Sequence, residues 1–149
     1  MKLAIGSDER THLTDAVVAE VQKRGHEVTL FGPLADQEGY WPQVAQQVAE
    51  TVASGQADEG ILFCWTGTGV SLAANKVPGI RAALCDDAET ARGARLWNNA
   101  NVLCLSIRRT SEVEAMEILE RWYDTAYQSN EVDDACLIQV TAIEAAYSP

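Results

Sequence analysis

Hydrophobic positions along this chain fall into two alternating patterns. Short continuous apolar runs, several rich in β-branched residues, occupy positions 2–6, 27–31, 60–63, 80–84 and 101–105. Runs of this length without polar alternation are typical of strands covered on both faces. Between them, apolar residues recur at helical spacing. Positions 14–23 place Val17, Val18 and Val21 on one face, and 44–52 do the same with Val44, Val48 and Val52. Positions 71–76 and 88–96 are Ala-rich helices, 112–123 carry Val113, Met116, Leu119 and Trp122 or Tyr123, and 136–146 close the chain.

The punctuation between the runs agrees. Gly25 follows the first helix as a C-terminal cap would. Pro42 stands where the second helix begins, and Gly55 lies just past its end. Asp86 and Asp87 can cap the helix after them, and Ser111 with Glu114 forms a capping box. Strand and helix alternating about five times predict a single doubly wound, Rossmann-like α/β domain over 1–149, with helices on both faces of a five-stranded parallel sheet. In such folds ligands bind outside the carboxyl ends of the strands.

Composition narrows the function. The 149 residues are 47% apolar and 22% charged, with a net charge of −11. Such a field repels phosphate backbones and anionic lipids, so neither nucleic acid nor membrane is an expected partner. The opening MKLAIGSDERTH is too short in apolar residues for an export signal, so a cytoplasmic protein is expected. The four cysteines form no C-x-x-C pair and no metal-ligand spacing with His12 or His26, so reduced thiols and no metal are expected.

The strand ends carry the chemistry. The loop after strand three, Cys64-Trp65-Thr66-Gly67-Thr68-Gly69-Val70-Ser71, has glycines at alternate positions and opens a helix. Inward-turned amides there suit a phosphate or a developing oxyanion. Cys64 beside them is placed as an available thiolate, suited to proton abstraction next to a carbonyl. A dinucleotide site is disfavoured, because the loop lacks G-x-G-x-x-G and strand two ends at Phe31-Gly32-Pro33-Leu34 without a ribose-binding acid. Plainer readings stand beside these. Cys85, Cys104 and Cys136 read as structural. Asp8 is a site residue or a helix cap, and Trp97 a stacking platform or a lid on the core. His26 reads as surface, His12 as either surface or site, and Trp122 and Tyr123 as core or interface.

The stretch ILFCWTGTGVSLAANKVPGIRA, positions 61–82, is close to C-G-T-G-x-G-x-S-x-A-A-N-K-x-x-G-I-R-A. Ile5-Gly6-Ser7-Asp8, Trp41-Pro42, Asn98 with Asn101-Val102-Leu103, Arg108 and Thr141-Ala142-Ile143-Glu144 support it. On these residues the chain resembles the type B ribose-5-phosphate isomerases and their galactose-6-phosphate isomerase relatives, over nearly its whole length. The resemblance implies an aldose–ketose isomerase working through an enediol(ate), with no cofactor. It implies that Cys64 moves the carbon-bound proton and Thr66 helps shuttle protons between the substrate oxygens. The amides of Gly67, Thr68, Gly69, Val70 and Ser71 would form the anion hole, and Asp8 and Asn98 would bind sugar hydroxyls. A homodimer or homotetramer with the site at the subunit interface is also implied, and would account for Tyr40, Trp41, Trp122 and Tyr123 as an aromatic cluster.

The departures from the family pattern lie at the site. The family's Asp-His is Asp8-Glu9 here, so Glu9 takes a substrate-binding position. The ring-opening histidine falls at Trp97, which cannot transfer a proton. The glutamate used as base in another branch falls at Val70, leaving Cys64 as the base. The glycine after the cysteine is Trp65. The family's basic phosphate-binding stretch reads Asn130-Glu131-Val132-Asp133-Asp134-Ala135-Cys136. These carboxylates repel a dianion, so an unphosphorylated or otherwise different sugar or polyhydroxy ketone is expected as substrate, with Arg10 and Arg109 as the cations that could still supply relocated charge for a phosphate. Two other classes compete: a sugar-binding module without chemistry, and a partner subunit that completes the site of a second chain.

Overall fold

The computed structural model describes residues Met1–Pro149. Strands β1 (Lys2–Ser7), β2 (Glu27–Phe31), β3 (Glu59–Cys64), β4 (Ala82–Leu84) and β5 (Val102–Ser106) form one parallel sheet in the order β2-β1-β3-β5-β4. Helices α1 (His12–Lys23), α2 (Trp41–Ala53), α3 (Thr68–Ala74), α4 (Ala88–Asn98), α5 (Glu112–Asp124) and α6 (Glu131–Tyr147) surround it, with a short 3-10 turn at Gly32–Ala35. This is the doubly wound α/β architecture read from the sequence.

Successive strand residues serve opposite layers, as the two-residue pleat requires. Leu3, Ile5, Ile61, Phe63, Leu103 and Leu105 join Val17, Val21, Ala91, Ile118 and Trp122 in one core. Ala4, Leu62, Cys64, Val102 and Cys104 face the other way, onto Val44, Val48, Val52, Val70 and Ala74. Thus α1, α4 and α5 cover one face and α2 and α3 the other. Within one copy the four aromatic residues do not gather. Trp122 and Tyr123 belong to the first face, whereas Tyr40 and Trp41 start α2 on the second.

Capping sets several boundaries two or more residues from those read off periodicity. Thr11 and Thr14 form a reciprocal capping box, so α1 starts at His12 and Asp8 is not the cap. Asn130 accepts from Asp133 N–H and starts α6 at Glu131, five residues before the predicted 136. Helix α3 starts at Thr68 rather than 71, directly after a left-handed Gly67. The Ser111–Glu114 box and the Asp87 cap are both present. The expected strand over 80–84 shortens to Ala82–Leu84. Arg81 N–H instead donates to Asn101 Oδ1, and Arg81 Nε to Asn99 O.

At the amino end of the sheet lies a buried polar knot. Arg95 pairs with Glu59 at 2.8 Å, Trp122 Nε1–H donates to the other Glu59 oxygen at 2.8 Å, and the guanidinium stacks over the indole. Burial raises the Glu59 pKa, opposed by Arg95 and then by the Trp122 bond. Glu59→Ala leaves Arg95 without its partner. It is expected to destabilise the fold by about 3–5 kcal/mol, the scale for a broken buried pair. Urea denaturation with an unchanged m-value checks this.

Candidate functional site

Between β1 and β3 the strand order reverses direction, because the chain leaves β1 for β2 on one side and returns to β3 on the other. A crevice opens at the carboxyl ends of such a pair. Ser7 and Phe63 are register partners, so Asp8 and Cys64 are the next residues on neighbouring strands. Cys64 is nearly buried, at 5% exposure. Ser7 Oγ donates to Glu9 O and accepts from Glu9 N–H, a local turn that brings Asp8 over the strand end. Burial raises the Asp8 carboxyl above its ordinary value; a backbone hydrogen bond opposes this and the Glu9 charge adds to it.

From Cys64 the chain passes through Trp65 and Thr66 and turns into α3 at once. Gly67 makes that turn with φ of 74°. A methyl group there would lie 2.5 Å from Leu84 Cδ1 and 3.0 Å from the Leu105 carbonyl carbon. The turn is anchored by Ser106 Oγ and Arg108 N–H, which both donate to Trp65 O at 3.0 Å. The N–H groups of Gly67, Thr68, Gly69 and Val70 donate to no protein acceptor. Ser71 N–H, expected in the same set, is engaged by Gly67 O at 3.3 Å. Thr66 Oγ1 and Thr68 Oγ1 lie 2.6 Å apart on the exposed side of the loop. The Trp41 indole closes over Gly69, where a Cβ would fall 3.0 Å from the ring.

Cys64, Thr66, Gly67, Thr68, Gly69, Val70, Asp8 and Glu9 therefore share one edge. Trp97 and Asn98 do not. They end α4, which starts beyond β4 and runs back to the amino end of β5. Val102 pairs with Gly60 and Ser106 with Cys64, so four residues, roughly 13 Å of strand, separate the two ends. Asn98 and Trp97 instead line a hollow with Arg81, Ala100 and Cys136. Cys136, read as structural, is exposed on α6. Cys85 and Cys104 are buried, and burial pushes their thiols up, Cys85 to about 12. His26 leans on Tyr123 near the amino terminus, away from the site. His12 is exposed in the first turn of α1.

Sequence reasoning missed a second hollow of about 620 Å³ beside Asp8, lined by Pro33, Glu38, Gly39, Tyr40 and Gln43. The 3-10 turn at Gly32–Ala35 builds part of its wall, and the Gly32-Pro33 pair was the available signal for a turn there. Its lining contains no cation. No group of three or more His, Cys, Asp or Glu side chains is placed to hold a metal ion. No helix is long and apolar enough to cross a membrane.

The fold defines the class, a doubly wound α/β domain, and one carboxyl edge of it holds a strand-end thiol, unengaged amides and two hydroxyls. The comparisons carry this further. The ribose/galactose isomerase family model matches residues 3–136. Ribose-5-phosphate isomerase B of Escherichia coli is 37% identical over 144 residues, 96% of each chain. The D-erythrulose-4-phosphate isomerase of Pectobacterium atrosepticum is 37% identical over 131 residues, 86% of each. The structure of ribose-5-phosphate isomerase B from Clostridium thermocellum superposes with a TM-score of 0.93 at 39% identity, covering 99% of this chain and 100% of that one. The chain belongs to the ribose/galactose isomerase family and is an aldose–ketose isomerase.

Gly67→Ala tests the loop. The left-handed φ and the contact with Leu84 are together expected to destabilise by about 2–4 kcal/mol, read by thermal or urea unfolding.

Proposed function

We propose that this chain, as one domain over 1–149, isomerises a sugar or polyhydroxy ketone that differs from ribose 5-phosphate and carries no phosphate, with Cys64 as base. The Cys64 thiolate takes the carbon-bound proton next to the carbonyl and returns it to the adjacent carbon. The free amides of Gly67, Thr68, Gly69 and Val70 stabilise the negative oxygen of the enediolate. Thr66 carries protons between the two substrate oxygens, and Asp8 and Glu9 hold hydroxyls at the mouth.

The observation that carries the substrate reading is the charge around the site. Arg10 is held by Asp15 at 2.9 Å and lies 3.9 Å from Asp36, and Arg109 is held by Glu114 at 3.3 Å. The hollow beside Asp8 offers Glu38 and no cation. Losing charge-assisted bonds to a phosphate costs about 1.5–3 kcal/mol each. Arg108, exposed and without a carboxylate partner, is the one free guanidinium at this edge. Deuterium uptake from D₂O, followed by NMR with phosphorylated and free tetroses, pentoses and hexoses, tests both parts. Uptake from free sugars is expected, and is expected to vanish in Cys64→Ala. Efficient turnover of ribose 5-phosphate would sink the substrate reading, and uptake that survives Cys64→Ala would sink the base assignment.

We further propose a homo-oligomer in which Trp97 and Asn98 of one copy serve the Cys64 of another. Helix α6 supports this. It has no buried residue, and Val132, Ile138, Val140 and Ile143 stand exposed along it. An apolar surface of this kind marks an interface. Ile138→Asp with Ile143→Asp is expected to give a monomer by size-exclusion chromatography with light scattering, and to reduce activity at least tenfold. A second reading, a subunit that completes the site of an unlike chain, draws on the same separation of Trp97 from Cys64. Activity of the purified chain alone decides between them.

A further inference from the structure

Thr68 has a role beyond its backbone amide. The motif that carries the family resemblance leaves this position open, and this chain fills it with a threonine. The left-handed Gly67 between Thr66 and Thr68 turns its own face to Leu84 and Leu105, and both threonine side chains emerge on the opposite, exposed side. Their hydroxyl oxygens are 2.6 Å apart, a good O–H···O distance. Thr68 is the first residue of α3, and the Trp65 carbonyl upstream is tied by two hydrogen bonds. The pair is thus fixed from both ends. A hydroxyl that must both give and receive a proton works best when a neighbour sets its rotor and supports its oxygen as charge develops.

We infer that the Thr68 hydroxyl is a positioning residue for proton transfer between the substrate oxygens, donating to Thr66 Oγ1 so that the Thr66 hydrogen points at the substrate. The inference rests on the isomerase reading above. In the aldose-to-ketose direction, Cys64 takes the proton from C2 to give the enediolate, and O1 then takes the Thr66 hydroxyl proton. Thr66 regains a proton from the O2 hydroxyl, and Cys64 delivers its proton to C1. Nothing else is consumed, and the only transient charge on a protein oxygen falls on Thr66 Oγ1, where Thr68 donates. That bond strengthens only as the proton leaves, so its loss lowers kcat rather than raising KM.

Thr68→Val removes the hydroxyl at nearly constant shape. On the sugar turned over in the deuterium panel, it is expected to lower kcat roughly tenfold, the size of one such hydrogen bond, with KM changed by less than about twofold. Carbon-bound exchange reads the Cys64 step, and conversion also needs the oxygen step. The ratio of exchange to product is therefore expected to rise. Thr68→Ser keeps the donor and is expected to recover most of the rate. Thr68→Ala, without β-branching, is expected to repeat the loss. Undiminished kcat in Thr68→Val overturns the inference, as does a Ser variant that falls as far as Val, or a loss of rate with the exchange ratio unmoved. Each of these leaves the isomerase reading intact. Wild-type protein that exchanges no proton in any sugar overturns both together.

Discussion

Position 67 admits no side chain, and the arrangement of the site follows from that. Leu84 and the Leu105 backbone occupy the space a side chain at Gly67 would need, so β4 and β5 lie directly beneath the turn. The left-handed φ then reverses the chain between Cys64 and Thr68 within three residues. A longer connection would have let the loop amides find carbonyl partners of their own. This short one leaves four of them without acceptors, beside a thiol that the sheet has nearly buried. Unengaged amides at the end of a packed strand are costly unless something binds there. The fold accepts that cost at the place where a developing oxyanion would use it.

Charge acts on the same edge in the opposite sense. Asp8, Glu9, Asp36 and Glu38 cluster around the mouth, and two of the three nearby arginines are occupied by carboxylates. Burial raises the Asp8 carboxyl, and the neighbouring Glu9 charge adds to the rise. A polyhydroxylated neutral substrate loses nothing in such a field and gains acceptors for its hydroxyls. A dianion would need Arg108 to offset several like charges by itself. The proposed neutral substrate keeps the isomerase chemistry in the names of these relatives and departs from the phosphate in them.

The strands and most of the site were legible because they depend on local rules. Continuous apolar runs give buried parallel strands, and a glycine-spaced loop after a strand gives turned amides. Ser7-Asp8 and Cys64 could be placed together from the principle that ligands bind at carboxyl ends. Helix starts were less legible at Thr11, Gly67 and Asn130, where capping rather than hydrophobic period sets the boundary. Asn98 entered the site list through resemblance, and Trp97 through resemblance and as a candidate stacking platform. Their position directly before strand five already places them at an amino end, so no folding of one chain could bring them to Cys64. The hollow beside Asp8 was signalled only by the Gly32-Pro33 turn, because it forms where the 33–43 stretch meets Asp8 in the fold.

Two features that look unrelated then have a common physical resolution. Helix α6 exposes Val132, Ile138, Val140 and Ile143, and its side-chain anchor to the loop before β4 is the Glu144 carboxylate accepting from Gly79 N–H. A helix with so little purchase on its own domain is marginal in water, since helices draw most of their stability from packing. Trp97, also exposed, lies next to α6 residues Cys136 and Leu137 in the same hollow. A second copy seated on this surface would bury the helix and cover Trp97 in one step. If that copy presents its carboxyl strand edge there, association completes the fold and the site together, and catalysis would depend on protein concentration through the same equilibrium that stabilises α6.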